Sequence, residues 1–312
     1  MISIVIVTYN NEDTIVECLE SIYKSNLKEG IEITVIDNHS YDLTVELVKK
    51  KFTSVILIVN SVNIGFAKAN NIGIKKSKGR YILLLNPDTV IFPDTIEKTT
   101  YFMDKNSKAS IVGCRTLTSN LTLQFSYGNF PALWRNFLYQ TIIIQLFLPF
   151  IKKIRCVKRN FLSYCILQET IEVDYVGGAF MMIRREVFSQ IGLLDERFFM
   201  FAEEVDFCYR AKKANLSTFF YPNACIIHKG GSETASIYKY IVGIESVAKY
   251  FEKHFSPLQR ALYVIIMFIG SLMHLIVWSL IYLLGKGKNK SLAASRVQLF
   301  SRAVGYHIGK IR

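Results

Sequence analysis

The stretch Tyr81-Ile82-Leu83-Leu84-Leu85-Asn86-Pro87-Asp88 decides the fold. Five apolar residues without helical periodicity, closed by an Asn-Pro turn, describe a short strand buried on both faces that ends in a carboxylate. Outward from it, runs of the same kind occur at Ile2–Val7, Ile31–Ile36, Val55–Val59 and Ser110–Gly113. Amphipathic segments lie between them. Glu12–Lys24 carries Ile15, Leu19 and Ile22 at three- to four-residue spacing, and Asp42 is placed to cap a helix through Leu47 and Val48. The alternation predicts an α/β fold with a doubly wound, mainly parallel sheet over residues 1–113.

In such a sheet, ligands bind beyond the carboxyl ends of the strands. The polar residues collect there: Thr8, Tyr9 and Asn10 after the first strand, Asp37 and Asn38 after the second, Asn63 and Gly65 after the third, and Asn86, Pro87 and Asp88 after the fourth. Any one of these is also an ordinary turn or cap residue; the coincidence at four strand ends points to a site. A carboxylate at the position of Asp88 can hold a divalent cation against a diphosphate, and hard oxygen ligands suit Mg²⁺ or Mn²⁺. Asp37 can accept the imide N–H of a pyrimidine. Asn63-x-Gly65-Phe66-Ala67 forms a glycine turn feeding a helix N-terminus, suited to close approach of a nucleotide or sugar.

Residues 114–170 are less regular and read as an insertion, with an interfacial helix in the apolar run 137–151. Mixed α/β character returns over 171–235. A strand-like Ile171–Val176 leads into Gly177-Gly178-Ala179, a second apolar run through Ile183 and a helix from Arg185. The segment Phe198–Arg210 crowds Glu203, Glu204 and Asp206 against aromatic residues. Those surroundings can raise a carboxylate toward the range of a general base, although acids at a helix start are also favoured by the dipole. His228 ends the last apolar run, ahead of Lys229 and a Gly-rich loop, where an imidazole could complete a metal site and Lys229 could face phosphate.

The chain has 312 residues, 51% hydrophobic and only 20% charged, with a net charge of +13. The positive charge follows apolar segments: Lys152, Lys153, Arg155, Lys158 and Arg159 after 137–151, and seven Lys and Arg residues between Lys286 and Arg312 after the greasiest run. That placement favours anionic lipid over nucleic acid. The run 261–284 would extend about 36 Å as a straight helix, enough to cross a hydrocarbon core. Positive charge flanks both of its ends, so it is expected to span, re-enter or lie on the membrane. Residues 236–312 are accordingly a helical region, with an amphipathic helix from Ser236 to Phe255 preceding the membrane segment and a basic tail following it. The six cysteines form no C-x-x-C pair and read as free thiols of a reducing compartment. The opening Met1–Thr8 reads as a buried strand rather than a signal peptide.

Taken in order, Val7-Thr8-Tyr9-Asn10, Val35-Ile36-Asp37-Asn38-x-Ser40, Asn63-x-Gly65-Phe66-Ala67, Leu85-Asn86-Pro87-Asp88, Gly177-Gly178-Ala179-x-Met181, Glu203-Glu204-x-Asp206 and His228 resemble glycosyltransferase family 2, in particular its bacterial rhamnosyltransferase-like branch. The resemblance covers residues 1–235. It implies a GT-A fold and an inverting, metal-dependent transfer from a nucleotide-diphosphate sugar, dTDP- or UDP-linked, with dTDP-rhamnose preferred. Asp88 would stand in the place of the family's D-x-D carboxylate with His228 joining it, Asp37 would read the base, and Gly177, Gly178 and Ala179 would approach donor or acceptor sugar. The second acid of the family's Glu-Asp pair, usually the base, is here Glu204, which leaves Glu204, Glu203 or Asp206 to take the proton. The acceptor expected is a lipid-linked or cell-surface glycan, with a polyprenyl-diphosphate carrier suiting the apolar segments, at the cytoplasmic face of a bacterial inner membrane. A polyprenyl-phosphate sugar synthase and a non-catalytic scaffold subunit are the rival expectations. A homo-oligomer is left open. No G-x-G-x-x-G follows the first strand, which disfavours a nicotinamide enzyme.

Overall fold

The computed structural model describes residues 1–26, 29–140, 168–230 and 237–311. In chain order its elements are β1 (Ile2–Thr8), α1 (Ile15–Tyr23), β2 (Ile31–Asp37), α2 (Thr44–Lys51), β3 (Ile56–Val59), α3 (Phe66–Lys76), β4 (Tyr81–Leu85), β5 (Thr89–Ile91), α4 (Thr95–Lys105) and β6 (Ala109–Leu117). There follow β7 (Leu123–Gln124), β8 (Tyr127–Gly128), α5 (Leu133–Gln140), β9 (Ile171–Val173), β10 (Tyr175–Val176), β11 (Phe180–Arg184) and α6 (Arg185–Ile191). The last are α7 (Glu203–Lys213), β12 (Ser217–His228), α8 (Ile237–His254), α9 (Pro257–Leu284) and α10 (Lys288–Ile311). The chain divides into two compact units, one of Met1–Phe130 with Arg159–Glu233, the other of Pro131–Lys158 with Thr234–Arg312.

The first unit is built on one sheet of order β3-β2-β1-β4-β11-β6-β12-β5, with β7 on β6 and β9 on β12. The pairs β2–β3, β1–β2 and β1–β4 are parallel, joined by α1, α2 and α3 as crossovers. Every residue of β1 and β4 is buried, the pattern of strands covered on both faces. Alternation splits β1 cleanly. Ile2, Ile4 and Ile6 join Ile15 and Leu19 of α1 and Ile96 and Met103 of α4 in one core; Val5 and Val7 join Ala67 and Ile74 of α3 and Phe207 of α7 in the other. A Cβ on Gly73 would sit 2.4 Å from the Val5 side chain, so α3 lies against β1 only because that residue is glycine.

The other half of the sheet is not parallel as expected. β11 runs antiparallel to both β4 and β6, and β12 pairs parallel with β6 but antiparallel with β5 and β9. An apolar run buried on both faces looks the same in either direction, so the pattern of Phe180–Ile183 carries no information about its sense. The expected strand Ile171–Val176 is also two short strands, β10 pairing with β8 in a separate ribbon.

Within the second unit, α9 begins earlier than the apolar run suggests. Ser256 caps it, its hydroxyl accepting from the Gln259 amide at 3.3 Å while Gln259 Oε1 accepts from the Ser256 amide at 3.1 Å, and Pro257 occupies the first turn. By length and composition α9 is able to cross a membrane. Within the expected helical region the basic tail forms α10, which buries Ala293, Leu299, Phe300, Ala303 and His307. Of the expected interfacial helix over 137–151, residues up to Gln140 lie in α5 and 141–151 fall outside the described residues.

Candidate active site

The ends of β1 and β2 meet at a hydrogen-bonded knot centred on Asp37, which is fully buried. Its Oδ1 accepts from Thr8 Oγ1 at 3.0 Å and from Ser40 Oγ at 2.5 Å, and its Oδ2 accepts from the Ser40 amide at 2.9 Å. A carboxylate offers roughly four acceptor directions, so Asp37 keeps about one for an incoming N–H. Thr8, buried beneath it, holds the orientation of Asp37. Asn38 is likewise a staple: its Nδ2 donates to the Gly65 carbonyl at 3.1 Å and its Oδ1 accepts from Asn60 at 2.9 Å. Asn10 takes the left-handed conformation, φ 55°, with its amide on Ser40 Oγ and its side-chain oxygen on the Tyr41 amide. This leaves Tyr9 exposed at the rim, its ring edge-on to Tyr41 with centroids 5.9 Å apart.

The turn into α3 is tied to a remote segment. Asn63 Oδ1 accepts from the Gly65 amide at 3.0 Å, and Gly65 has φ 86°, which glycine tolerates best. A Cβ there would also stand 2.7 Å from the Phe199 carbonyl oxygen, the group that accepts from the Phe66 amide at 2.6 Å. The Phe66 ring reaches Gly178, whose Cβ, were there one, would be 3.7 Å away. Gly177 donates its amide to the Ser126 carbonyl and Ala179 accepts from the Asn86 amide at 3.1 Å. Gly177, Gly178 and Ala179 thus bridge the turn after β4 and the start of α3.

At the end of β4, Asp88 faces β12. His228 Nε2 is 3.2 Å from Asp88 Oδ1 and 3.3 Å from Asn86 Nδ2. His228 Nδ1 is 2.9 Å from Gln124 Oε1, and the Gln124 amide is itself oriented by donating to the Gly230 carbonyl at 3.3 Å. An amide oxygen only accepts, so Nδ1 carries the proton and Nε2 presents a lone pair toward Asp88. Asn86 Oδ1 is buried with no hydrogen-bond partner among the described residues. A Cβ on Gly230 would be 1.8 Å from Asp88 Oδ2. The Asp88 carboxylate, the imidazole lone pair and the Asn86 Oδ1 that lacks a partner among the described residues fit a divalent cation. No set of three or more His, Cys, Asp or Glu gathers in a metal-holding cluster among the described residues; the two protein ligands of Asp88 and His228 suit an ion that takes its remaining oxygens from phosphate and water. Lys229, expected to face phosphate, pairs instead with Glu17 of α1, a partner 212 positions away. Gln124 had no signal in the sequence; it lies on a two-residue strand and acts only through His228.

Glu203 and Glu204 open α7. Phe201 and Ala202 before them both have positive φ, 68° and 63°, without being glycine, a backbone that costs about 1–2 kcal/mol per residue. Glu203 is buried, and one carboxyl oxygen of each glutamate is buried with no hydrogen-bond partner among the described residues. Burial pushes the Glu203 carboxyl well above the usual carboxylate range, and the neighbouring Glu204 adds to it; burial raises Glu204 as well. Burial of two adjacent carboxyls favours the protonated form more than water would. Asp206 differs. It is fully buried and receives Arg210 Nε at 2.8 Å, while the same guanidinium donates to the carbonyls of Ile191 and Leu193. Asp206 ties α7 to the turn after α6.

The model of glycosyl transferase family 2 matches residues 3–192. The chain belongs to this family. As a family 2 glycosyltransferase it is 30% identical over 234 residues to the low-salt glycan biosynthesis hexosyltransferase Agl10 of Haloferax volcanii, a match covering 69% of this chain and 63% of that one. It therefore spans less than two thirds of that relative. It is 24% identical over 250 residues to the N-acetylglucosaminyl-diphospho-decaprenol L-rhamnosyltransferase of Mycobacterium tuberculosis, covering 75% of this chain and 78% of the relative. The mannosyltransferase PcManGT of Pyrobaculum calidifontis, solved with GDP-Man and Mn²⁺, shares the fold with a TM-score of 0.59 over 98% of this chain and 86% of that one, at 12% identity. The fold of this glycosyltransferase is GT-A-like.

Proposed function

We propose that this glycosyltransferase moves a sugar, rhamnose from dTDP-rhamnose as the best reading, from a nucleotide diphosphate to a hydroxyl of a lipid-linked or cell-surface polysaccharide acceptor, with inversion. The observation that carries the proposal is the juxtaposition at the sheet edge of the Asp88–His228 pair with Asn86, beside the strand-end knot that presents Asp37. Asp37 accepts from the base of the nucleotide through its remaining Oδ2 direction, while Thr8 and Ser40 hold it in orientation. Tyr9 lies at the rim against the nucleotide, and Asn63, Gly65 and Phe66 shape the turn beside it. Asp88 and His228 would hold Mg²⁺ or Mn²⁺, which when bound would neutralise the departing diphosphate. Gly177, Gly178 and Ala179 give the sugar a wall of backbone.

Glu204 takes the acceptor hydroxyl proton as the acceptor oxygen bonds to the anomeric carbon and the nucleoside diphosphate leaves from the opposite face. Glu203, the more deeply buried partner, favours its protonated form, while burial raises Glu204 above the usual carboxylate range, as a base requires; Asp206 has a positioning role only. A raised acid also favours a hydroxyl acceptor over a polyprenyl phosphate, whose oxygen is already ionised and needs no base. The mycobacterial relative, named for a diphospho-decaprenol acceptor, and the apolar α9 support a polyprenyl-diphosphate acceptor at the cytoplasmic face of a bacterial inner membrane.

The test is transfer from dTDP-rhamnose, UDP-glucose and GDP-mannose to polyprenyl-diphosphate-linked N-acetylglucosamine, with the product linkage read by NMR. Rhamnosyl transfer with inverted configuration is expected. A retained anomer, or transfer to bare polyprenyl phosphate, would overturn the mechanism.

A further inference from the structure

The helices α9 and α10 form an antiparallel hairpin joined at Gly285–Gly287, where Gly287 has φ 55°. Near the turn, Lys290 Nζ lies over the Tyr282 ring at 5.1 Å. Midway, the His274 and Phe300 rings stack with centroids 4.7 Å apart. At the open end, Tyr263 of α9 and Tyr306 of α10 line one cavity of about 470 Å³. The three pairings keep the helices in register along their whole length, so Arg302, exposed on α10, stands level with the middle of α9.

The covered face of α9 holds Tyr263, Met267, Gly270, Ser271 and His274. Directly opposite, Leu262, Ile265, Ile269, Leu272, Ile276 and Leu280 form a stripe at three- to four-residue spacing, each 39–54% exposed. α10 contains Lys288, Lys290, Arg296, Arg302 and Lys310, and no Asp or Glu. A perpendicular crossing by α9 would carry α10 with it and set Arg302 at the depth of the hydrocarbon midplane, where a guanidinium is least tolerated. Lying flat removes the conflict. The stripe points away from α10, so lowering it into the acyl boundary leaves the α10 cations among headgroup phosphates.

We propose that the α9–α10 hairpin is an in-plane anchor for a bilayer containing anionic phospholipid, and that α9 does not span the membrane. This deepens the membrane-association part of the function proposed above and is independent of the sugar chemistry.

Two measurements on the full chain test it. In a Trp134→Phe, Trp278→Phe background, Ile269→Trp and Leu280→Trp place single reporters whose depth is read by quenching with lipids brominated along the acyl chain. The flat hairpin gives both the same shallow depth; a span would separate them by about 16 Å and overturn the proposal. Flotation with phosphatidylglycerol vesicles should exceed that with phosphatidylcholine alone, and exposed Lys290→Gln and Arg302→Gln should each lower binding about fivefold. Equal flotation on both lipids would also overturn it, as would a stripe variant, Ile269→Ser, that breaks self-association while leaving flotation unchanged. Donor-dependent thermal stabilisation in detergent reads the catalytic unit separately, so failure of the anchor and failure of the site give different results.

Discussion

The carboxyl ends of β1 and β2 and the start of α7 both hold buried carboxylates, yet they are handled in opposite ways. Asp37 is surrounded by donors from Thr8 and Ser40, and its neighbours Asn10 and Asn38 are spent on the fold. Glu203 and Glu204 have buried oxygens without partners among the described residues, follow two left-handed residues, and are pushed toward the protonated form. Charged groups that are satisfied make rigid recognition surfaces, whereas groups kept short of partners are available for proton transfer and cost stability. Asp206, three residues from Glu203 and bound to Arg210, shows that the contrast follows partners and not position on a helix.

The contrast can be broken by substitution. Glu204→Gln removes the proposed base while keeping the shape; kcat should fall about 10²–10⁴-fold, with donor binding retained, as single-turnover transfer would report. A loss confined to donor affinity would reassign Glu204 to binding. Asp206→Ala leaves the half-buried Arg210 without its carboxylate and should destabilise the first unit by about 3 kcal/mol, read by urea unfolding, while transfer per folded molecule changes little. The reverse outcome, intact stability with lost transfer, would give Asp206 the chemical role.

Glu203 sharpens the comparison through pH. Its folded-state carboxyl is held above its ordinary value of 4.5, so the native state binds more protons than the unfolded chain. That stabilisation is present below the ordinary value and is lost as pH rises through the raised one. Glu203→Gln lacks the penalty, and its Tm advantage over the wild-type chain should therefore grow as pH rises above the ordinary value of 4.5. A constant difference would show that Glu203 is not the group holding the proton. The smallest effect is expected of Thr8→Val, which removes one of the three donors to Asp37. Donor KM should rise only several-fold, about 1 kcal/mol, with kcat unchanged.

The residues of the site that the sequence made legible are those at strand ends. Asp37, Asn86 and Asp88 follow runs whose burial is unmistakable, and a strand end in this class of sheet is a ligand edge. What was hidden depends on long-range geometry. The sense of β11 cannot be read from an apolar run, and the partners Gln124 of His228 and Glu17 of Lys229 sit 104 and 212 positions away. In the sequence Asp206 groups with the two glutamates, although Arg210 stands four residues on along the same helix, a spacing that allows the pair the structure shows.

Asp88 and the ion it would hold are central to the proposed transfer. Purified protein is to be heated with dTDP, UDP and GDP sugars, with and without Mn²⁺ or Mg²⁺, alongside Asp37→Ala and Asp88→Ala. Stabilisation by one donor that requires the metal and disappears in Asp88→Ala is the predicted result. Equal stabilisation without metal, or in Asp88→Ala, would contradict it.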